Sequence, residues 1–536
     1  MSIHNMQLDK NDFRYQKENI NGPGWSSKTK ATSSVPQLFQ SFSACVLQME
    51  VDSPVFTVDD ALQIVGFGKY QVLLLAYAGM GWVAEAMEMM LLSFIGPAVS
   101  SEWELSPRQE SLITSTVFLG MMVGAYLWGV LSDTKGRRYG FFATAVVTFG
   151  AGFFGTFSPN YLVLVASRCL VGLGIGGGPV LSSWFLEFIP MANRGFWMVI
   201  FSAFWTFGTI LEALIAWIVM PTLGWRWLVG LSSTPLLILL VFYSVVPESP
   251  RYLIMKGRTI DALQILNKIA QVNRKHLPPG RYVACVTAKT KEVDGVDKLE
   301  EAHLLDVKGQ SSETSSKIRN QMRLFSSLCT LLSPSLITST LLLWSVFFSN
   351  AFCYYGLVLL TSQFGGRNQN CASNTMTSAA TNNSSLYRDI LMASCGEIPG
   401  LLLAAIIVDF FGRKSSMAIM FFSCCMFFLP LMFPQHETMT TILLFGARLC
   451  ITGTNTIAYI YAPEVYPTSI RSTGLGTASS FARIGGVLSP LIAIWLVKVC
   501  QQKLAILLFE FVLLLGAISA LFLPKETKGQ TLTDFV

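Results

Sequence analysis

Charged residues and histidines are scarce in this sequence. Only 13% of its 536 residues are Asp, Glu, Lys or Arg, whereas a soluble domain carries about 25%. A surface with so little charge would not stay in solution, which excludes an ordinary soluble enzyme or binding domain. Only four histidines occur, so any proton transfer inside a membrane would depend on carboxylates.

The sequence also lacks the usual motifs of cofactor and metal sites. Its eleven cysteines are scattered, without CxxC or Cys/His spacing, which predicts neither a metal site nor a disulfide framework. The absence of a Walker A lysine motif argues against an ATP-driven pump. Residues 172–177 match the dinucleotide pattern GxGxxG, but they lie in an apolar run, where glycines favour close helix packing. We therefore predict no cofactor and no enzymatic activity.

Long apolar runs dominate what is present. Apolar residues make up 52% of the chain, and the mean hydropathy is +0.51. Runs of about 20 such residues can cross a membrane as helices, and twelve of them begin near positions 70, 112, 140, 161, 196, 227, 336, 389, 416, 441, 475 and 503. We predict an all-α integral membrane protein with twelve transmembrane helices.

The two halves of the chain repeat one another. Asp133 and Asp409 lie 276 residues apart in similar loop motifs, and Pro247-Glu248 recurs as Pro524-Lys525 at an offset of 277. Such a repeat predicts two pseudo-symmetric six-helix bundles around a central path. The predicted divisions are an N-terminal tail (1–66), a first bundle (67–247), a central loop (248–335), a second bundle (336–523) and a C-terminal tail (524–536).

The distribution of Lys and Arg predicts the orientation. They cluster in alternate loops and in the central loop, and basic loops stay in the cytoplasm. Both termini are therefore expected to be cytoplasmic, and the net charge of +6 needs no nucleic-acid partner. Asn382 and Asn383 begin overlapping glycosylation sequons in a loop that this topology places outside, although unused sequons are the alternative. No organelle signal is visible, so we expect the plasma membrane as the location. We also expect a monomer.

A charged loop motif follows the second apolar run and recurs after the eighth. Its glycines allow close helix approach and a tight turn, while Asp133 can contact a helix N-terminus or an arginine across the bundle interface. Simple anchoring by positive charge would not explain Gly and Asp at fixed spacing, so we predict a conformational latch. Its residues are Gly129, Asp133, Gly136, Arg137, Arg138, Glu187, Arg194, Asp409, Gly412, Arg413, Lys414, Glu464 and Arg471.

These motifs resemble those of the major facilitator superfamily. Its sugar-porter-like branch shares the loop motif, the ExxPxxxRG pattern at Glu187–Gly195, the PESPR run at Pro247–Arg251 and the PxETKG tail at Pro524–Gly529. Thr57–Leu62, where Thr57 resembles a helix N-cap, and Gly79–Glu88 are similar to plant organic cation/carnitine transporters, a group related to synaptic vesicle protein 2-related proteins and nicotinate transporters. The resemblance implies a carrier that works by alternating access.

Ionisable residues inside the apolar runs are costly, at about 2.5–3.5 kcal/mol each on insertion scales, so they are by default functional or paired. Glu85 and Glu88 lie three residues apart in the first run and share one helix face. Two carboxylates this close should not both ionise, which predicts that one holds a proton. The alternative is a structural ion pair with a basic residue of another helix.

Arg483 is the matching candidate in the second half. Its guanidinium suits a substrate carboxylate, and an ion pair between helices is the alternative. Arg168 and Arg448, at an offset of 280, are interpreted as structural. Further candidates for substrate or proton contact, including aromatic rings that could cover a quaternary ammonium, are Glu212, Glu397, Trp205 and Tyr354.

Together these features predict a secondary active transporter, with protons as the coupling ion. Its expected substrates are small organic ions such as nicotinate or carnitine, with organic cations also considered, bound near the middle of the membrane. A non-transporting receptor or scaffold on the same fold is the alternative, because fold does not fix function. The latches and buried carboxylates favour the transporter, since a scaffold does not need them.

Overall fold

The computed structural model describes residues 55–190, 194–278, 281–283, 331–365, 383–433, 435–466 and 471–528. Within these ranges the chain is almost entirely helical. Eleven helices are long and apolar enough to cross a membrane, and the helix Arg137–Gly155 completes the series. The predicted all-α, multi-pass architecture is confirmed, while the exact domain divisions remain our proposal.

We number the membrane helices as spans 1 to 12. Spans 1 to 6, the first half, are Lys69–Glu102, Pro107–Lys135, Arg137–Gly155, Tyr161–Ile175 with Gly178–Leu186, Arg194–Val219, and Trp225–Ser232 with Thr234–Val241. Spans 7 to 12, the second half, are Ile337–Gly365, Asn383–Cys395 with Glu397–Phe411, Arg413–Phe428, Glu437–Val465, Arg471–Pro490 with the π-helical turn Leu491–Leu496, and Gln502–Leu521.

The boundaries of span 2 follow from local chemistry. Ser106 caps its start by accepting from the backbone N–H of Gln109, whose side chain accepts in return from the backbone N–H of Ser106 at 2.9 Å. Pro107 occupies the first helical position, where its missing N–H costs nothing. The helix ends at Gly136, which has a φ of +114°, a value that favours glycine.

Close packing explains the glycines of residues 172–177. A Cβ on Gly176 would lie 2.6 Å from the backbone oxygen of Met121 in span 2, and a Cβ on Gly174 would lie 2.8 Å from the backbone nitrogen of Thr148 in span 3. Small residues at these positions let span 4 approach both neighbours. The GxGxxG match is therefore a helix-packing feature.

Three short helices and two strands accompany the spans. The helices are α1 (Val58–Val65), α2 (Pro250–Met255) and α3 (Thr259–Val272), and the strands are β1 (Val55–Thr57) and β2 (Arg281–Val283), which pair in parallel. Thr57 caps α1 by accepting from the backbone N–H of Asp60 at 3.2 Å, as predicted. The apolar face of α1 is buried in one cluster with α2 and α3.

The membrane helices as a set have two ends, and we name each end by the residues that lie there. The motif end carries the loops at Gly136 and Gly412, and the opposite end carries Glu102, Glu110 and Lys498. Between described residues, the hydrogen bonds that join the two halves lie at mid-depth and at the opposite end. They join Ser93 to Val358, Ser115 to Val487, Trp205 to Tyr354, Thr209 to Glu397, Arg448 to Met90, Arg483 to Met121, Glu110 to Gln363 and Lys498, and Ser100 to Lys498.

Candidate functional site

At the motif end of the first half, charged side chains tie spans 2, 3 and 4 to α2. Arg137 contacts Asp133, and its Nε donates to Glu187 at 3.3 Å. Glu248 accepts from the backbone N–H of Arg138 at 3.1 Å, which caps span 3. A Cβ on Gly136 would lie 3.0 Å from the Glu248 carboxyl carbon, so glycine is required there by both backbone angle and space.

The second half repeats this arrangement with one change of register. Arg413 donates from Nε to Glu464 at 3.1 Å. Glu526 accepts from the backbone N–H groups of Arg413 and Lys414 at 2.8 and 3.0 Å, and it lies close to Gly412. The counterpart of Glu248 is therefore Glu526, at an offset of 278, and the alignment of Glu248 with Lys525 was wrong by one residue.

Other predicted latch residues either lack the contacts expected of them or have side chains that are not described. Asp133 contacts Arg137 of its own half and no arginine across the interface among the described residues. A Cβ on Gly129 would have nothing within 4 Å, so this glycine is not needed for close packing. The side chains of Asp409 and Arg471 lie outside the described parts of the chain.

An aspartate that sequence reasoning interpreted only as part of a helix start joins this network. Asp59 of α1 binds Arg194 at 2.9 Å and also contacts Arg251. Its side chain keeps only 15% of its surface exposed. Nearby, burial and the Glu248 carboxylate raise the pKa of Tyr252, whose hydroxyl donates to the backbone oxygen of Thr134 at 2.9 Å.

Deep in the first half, Arg168 and Glu88 form a fully buried ion pair. Their side chains have no exposed surface, and Arg168 Nη1 lies 3.1 Å from Glu88 Oε2. Glu212 lies within electrostatic range of Glu88 and accepts from Ser232 at 2.7 Å. The carboxylate that interacts with Glu88 is thus Glu212 of span 5. Glu85 interacts instead with Arg483, so the prediction that one of Glu85 and Glu88 holds a proton stays a prediction.

The second half has a buried network that reaches across the interface. Arg448 lies 2.7 Å from Glu397, and Tyr354 donates to the same carboxylate at 2.8 Å. Trp205 of span 5 donates to the Tyr354 hydroxyl at 2.9 Å. Three residues selected from the sequence, Trp205, Tyr354 and Glu397, therefore form one chain of hydrogen bonds that joins the two halves.

Glu85 of span 1 and Arg483 of span 11 belong to opposite halves of the chain. Both are half-buried, unlike Glu88 and Arg168. Glu85 interacts electrostatically with Arg483, and Arg483 also interacts with Tyr355. Beside them, a narrow cavity is lined by Met89, Met90, Trp205, Thr209, Tyr354, Tyr355, Val358 and Arg448.

At the opposite end, an ion pair that sequence reasoning missed joins the halves. Lys498 of the second half contacts Glu110 of span 2, and Gln363 Nε2 donates to Glu110 at 3.1 Å. Lys498 also donates to Ser100 at 3.3 Å. Glu110 and Lys498 lie at the ends of apolar runs, where charges are ordinary, so no sequence pattern distinguished them.

Three smaller predictions concern glycosylation, cysteines and metals. Asn382 lies outside the described residues, and the side chain of Asn383, at the start of span 8, is not described either, so glycosylation stays a prediction. Cys500 is disulfide-bonded, which shows that scattered cysteines did not exclude a single disulfide. In the described ranges, no group of three or more His, Cys, Asp or Glu side chains could hold a metal ion.

The architecture and the charged mid-depth interface define a membrane transporter. The sequence model of the family described as "Sugar (and other) transporter" matches residues 80–535. The chain belongs to this family. The family consists of transporters, so the chain is not an enzyme.

Two curated relatives place the chain more closely within this family. It is 56% identical to organic cation/carnitine transporter 7 of Arabidopsis thaliana, over 90% of this chain and 96% of the relative. It is 38% identical to the synaptic vesicle 2-related protein of Xenopus laevis, over 89% and 82% of the two chains.

The fold is similar to solved structures of the xylose transporter XylE from E. coli. A partially occluded, inward-open form has a TM-score of 0.61 and 17% identity, covering 86% of this chain and all of that chain. A form described as a proton:xylose symporter has a TM-score of 0.56 and 20% identity, covering 86% and 98%. These similarities confirm the major facilitator fold.

Proposed function

We propose that this protein is a secondary active transporter of small organic ions that carry a carboxylate, with zwitterions such as carnitine and anions such as nicotinate ahead of simple cations. The observation that carries the proposal is the half-buried Glu85 and Arg483, which belong to opposite halves and interact electrostatically at mid-depth. The two side chains carry opposite formal charges. A zwitterion supplies an opposite charge to both.

The surroundings of the two charges support this choice of substrate. Arg483 presents a planar guanidinium that suits a carboxylate, and Glu85 lies on the same span as Trp82. The rings of Trp82 and Trp205 lie 5.3 Å apart between centroids, and such faces attract quaternary ammonium groups. The name of the Arabidopsis relative, organic cation/carnitine transporter 7, fits the same chemistry.

Proton coupling is assigned to the buried cluster of Glu88, Glu212 and Arg168. Two carboxylates and one guanidinium leave an uncompensated negative charge unless a proton is bound, and a buried uncompensated charge is strongly unfavourable. Proton binding would loosen the hold of Glu88 on Arg168. A similar structure is described as a proton:xylose symporter, which supports the same energy source.

The motif end is proposed to face the cytoplasm, together with both termini, in a monomer of the plasma membrane. The positions of Lys and Arg support this orientation. Contacts between the halves at the opposite end then correspond to a form closed to the outside, and the similar XylE structure is inward-open. Alternating access would close the motif end and open the other.

Uptake into proteoliposomes tests the proposal. Carnitine, nicotinate and tetraethylammonium are compared, each with and without an inward pH gradient. We expect gradient-driven uptake of carnitine or nicotinate, strongly reduced by Arg483→Ala. If Arg483→Ala leaves nicotinate uptake intact while Glu85→Gln abolishes cation uptake alone, the carboxylate assignment is wrong. Absence of uptake of all three compounds contradicts the proposed substrate class.

A further inference from the structure

The carboxylate of Glu110 is built into the contact between the two halves at the opposite end. Glu110 has no exposed surface, and side chains of the second half contact both oxygens of its carboxylate. Oε1 accepts from Gln363 of span 7 at 3.1 Å, and Oε2 contacts the ammonium of Lys498, just after span 11. One side chain of the first half therefore binds two elements of the second half.

Space for this carboxylate is provided by span 1. A Cβ on Gly96 would lie 3.3 Å from Glu110 Oε1, so the glycine leaves just enough room for the carboxylate beside span 1. The ammonium of Lys498 is also held by Ser100, near the end of the same span. Spans 1, 2 and 7 and the segment just after span 11 thus meet around one ion pair.

From this geometry we infer that Glu110, Lys498 and Gln363 form a gate that keeps the opposite end of the transport path closed. The charged contacts of the motif end differ, because Arg137 and Arg413 pair with acids of their own halves. Movement of one half relative to the other leaves those pairs intact. The same movement separates Glu110 from Lys498 and exposes both to water.

The gate favours one conformation because its contacts exist in that conformation alone. An interaction shifts an equilibrium only by its difference between the two states. When the ends part, water replaces the protein partners of both charges, and hydrated charges at a distance attract each other weakly. The pair therefore stabilises the state that is closed at the opposite end.

A thiol reporter beside the gate tests the inference in the full-length protein. Ser115 lies five residues deeper than Glu110 on span 2 and donates to the backbone oxygen of Val487 across the interface. Ser115→Cys places a thiol of similar size behind the gate. A membrane-impermeant, cationic methanethiosulfonate reagent is added on the side of the opposite end, and labelling of the protein with Ser115 intact gives the background from native cysteines.

We expect slow labelling of Ser115→Cys and labelling faster by about tenfold after Glu110→Gln, which corresponds to a shift of about 1.4 kcal/mol in the equilibrium. Glu102→Gln is the matched control, since Glu102 binds Arg226 at the same end but within the first half. It should leave the rate unchanged. The exchange Glu110→Lys with Lys498→Glu should return slow labelling.

Equal labelling in Glu110→Gln and the parent, or equal acceleration by Glu102→Gln, would overturn the gate, as would an exchange variant that labels as fast as Glu110→Gln. Gel filtration and thermal melting verify that each variant is folded. Labelling requires no substrate, so a failure of the proposed substrate class in uptake assays would leave this result standing on its own.

Discussion

Arg168 and Arg448 occupy equivalent places in the two halves but belong to different kinds of network. Both are almost fully buried and both are ion-paired. Arg168 pairs with Glu88 of span 1, within its own half. Arg448 pairs with Glu397 of span 8, and that carboxylate is linked through Tyr354 to Trp205 of the first half.

The internal repeat therefore placed a buried arginine at equivalent positions of both halves, but the glutamates that pair with these arginines lie at positions that are not equivalent. A cluster sealed within one half can change protonation without a direct contact to the other half. A network that crosses the interface must change when the halves move. The difference fits the proposal that the first half binds the coupling proton, while the second half responds to the relative position of the halves.

The largest effect is expected from Arg448→Met, which leaves the Glu397 carboxylate without its cationic partner. Breaking a buried pair in this way costs about 3–5 kcal/mol, so thermal melting in detergent should show a marked loss of stability. The double variant Arg448→Met with Glu397→Gln removes both charges and should recover a large part of it. Equal melting temperatures for the single and double variants would contradict the ion-pair account.

Glu88→Gln tests the proposed proton store. The amide cannot lose a proton, so uptake should no longer respond to an inward pH gradient, whereas exchange of internal for external substrate should persist. Glu510→Gln is the control, because Glu510 is a buried carboxylate of span 12 outside the cluster. Gradient-driven uptake by Glu88→Gln at the parent rate would exclude Glu88 as the coupling site.

Tyr354→Phe tests the link between the halves. It removes the hydroxyl that joins Trp205 to Glu397, at a cost of about 1–3 kcal/mol if the buried partners stay unpaired, and we expect uptake to slow severalfold. Tyr461→Phe is the matched control, because the Tyr461 hydroxyl donates to the backbone oxygen of Lys525 and does not join the two halves. Equal slowing by both variants would assign the effect to general stability.

The smallest effect is expected from Asp59→Asn, at the edge of the first-half network. Losing the charge that holds Arg194 and Arg251 should loosen α1, with faster amide hydrogen exchange over Val58–Val65. Asp60→Asn, one residue further along, keeps an acceptor for the helix cap. In this variant the amides of α1 should exchange their hydrogens near the parent rate. The reverse order would show that the cap, and not the ion pairs, holds α1.

Sequence reasoning succeeded where local pattern determines the outcome. Apolar runs located the spans, and Thr57 caps α1 as its position before the helix predicted. Reasoning failed where partners came from distant segments. Glu88 and Glu85 share a helix, yet their partners lie on spans 4 and 11, and Glu110 was not recognised because its partners lie 253 and 388 residues away in sequence.

By itself the sequence determined that this protein crosses the membrane as a doubled set of helices with charged turns, because apolar length and repeated spacing are properties of the chain. Tertiary structure alone decided which charges neutralise one another. Long side chains on neighbouring spans meet according to helix rotation and packing, and neither is fixed by spacing along one helix. That is why Glu88 is buried in a pair with Arg168, while Glu85 remains half-buried and interacts electrostatically with Arg483.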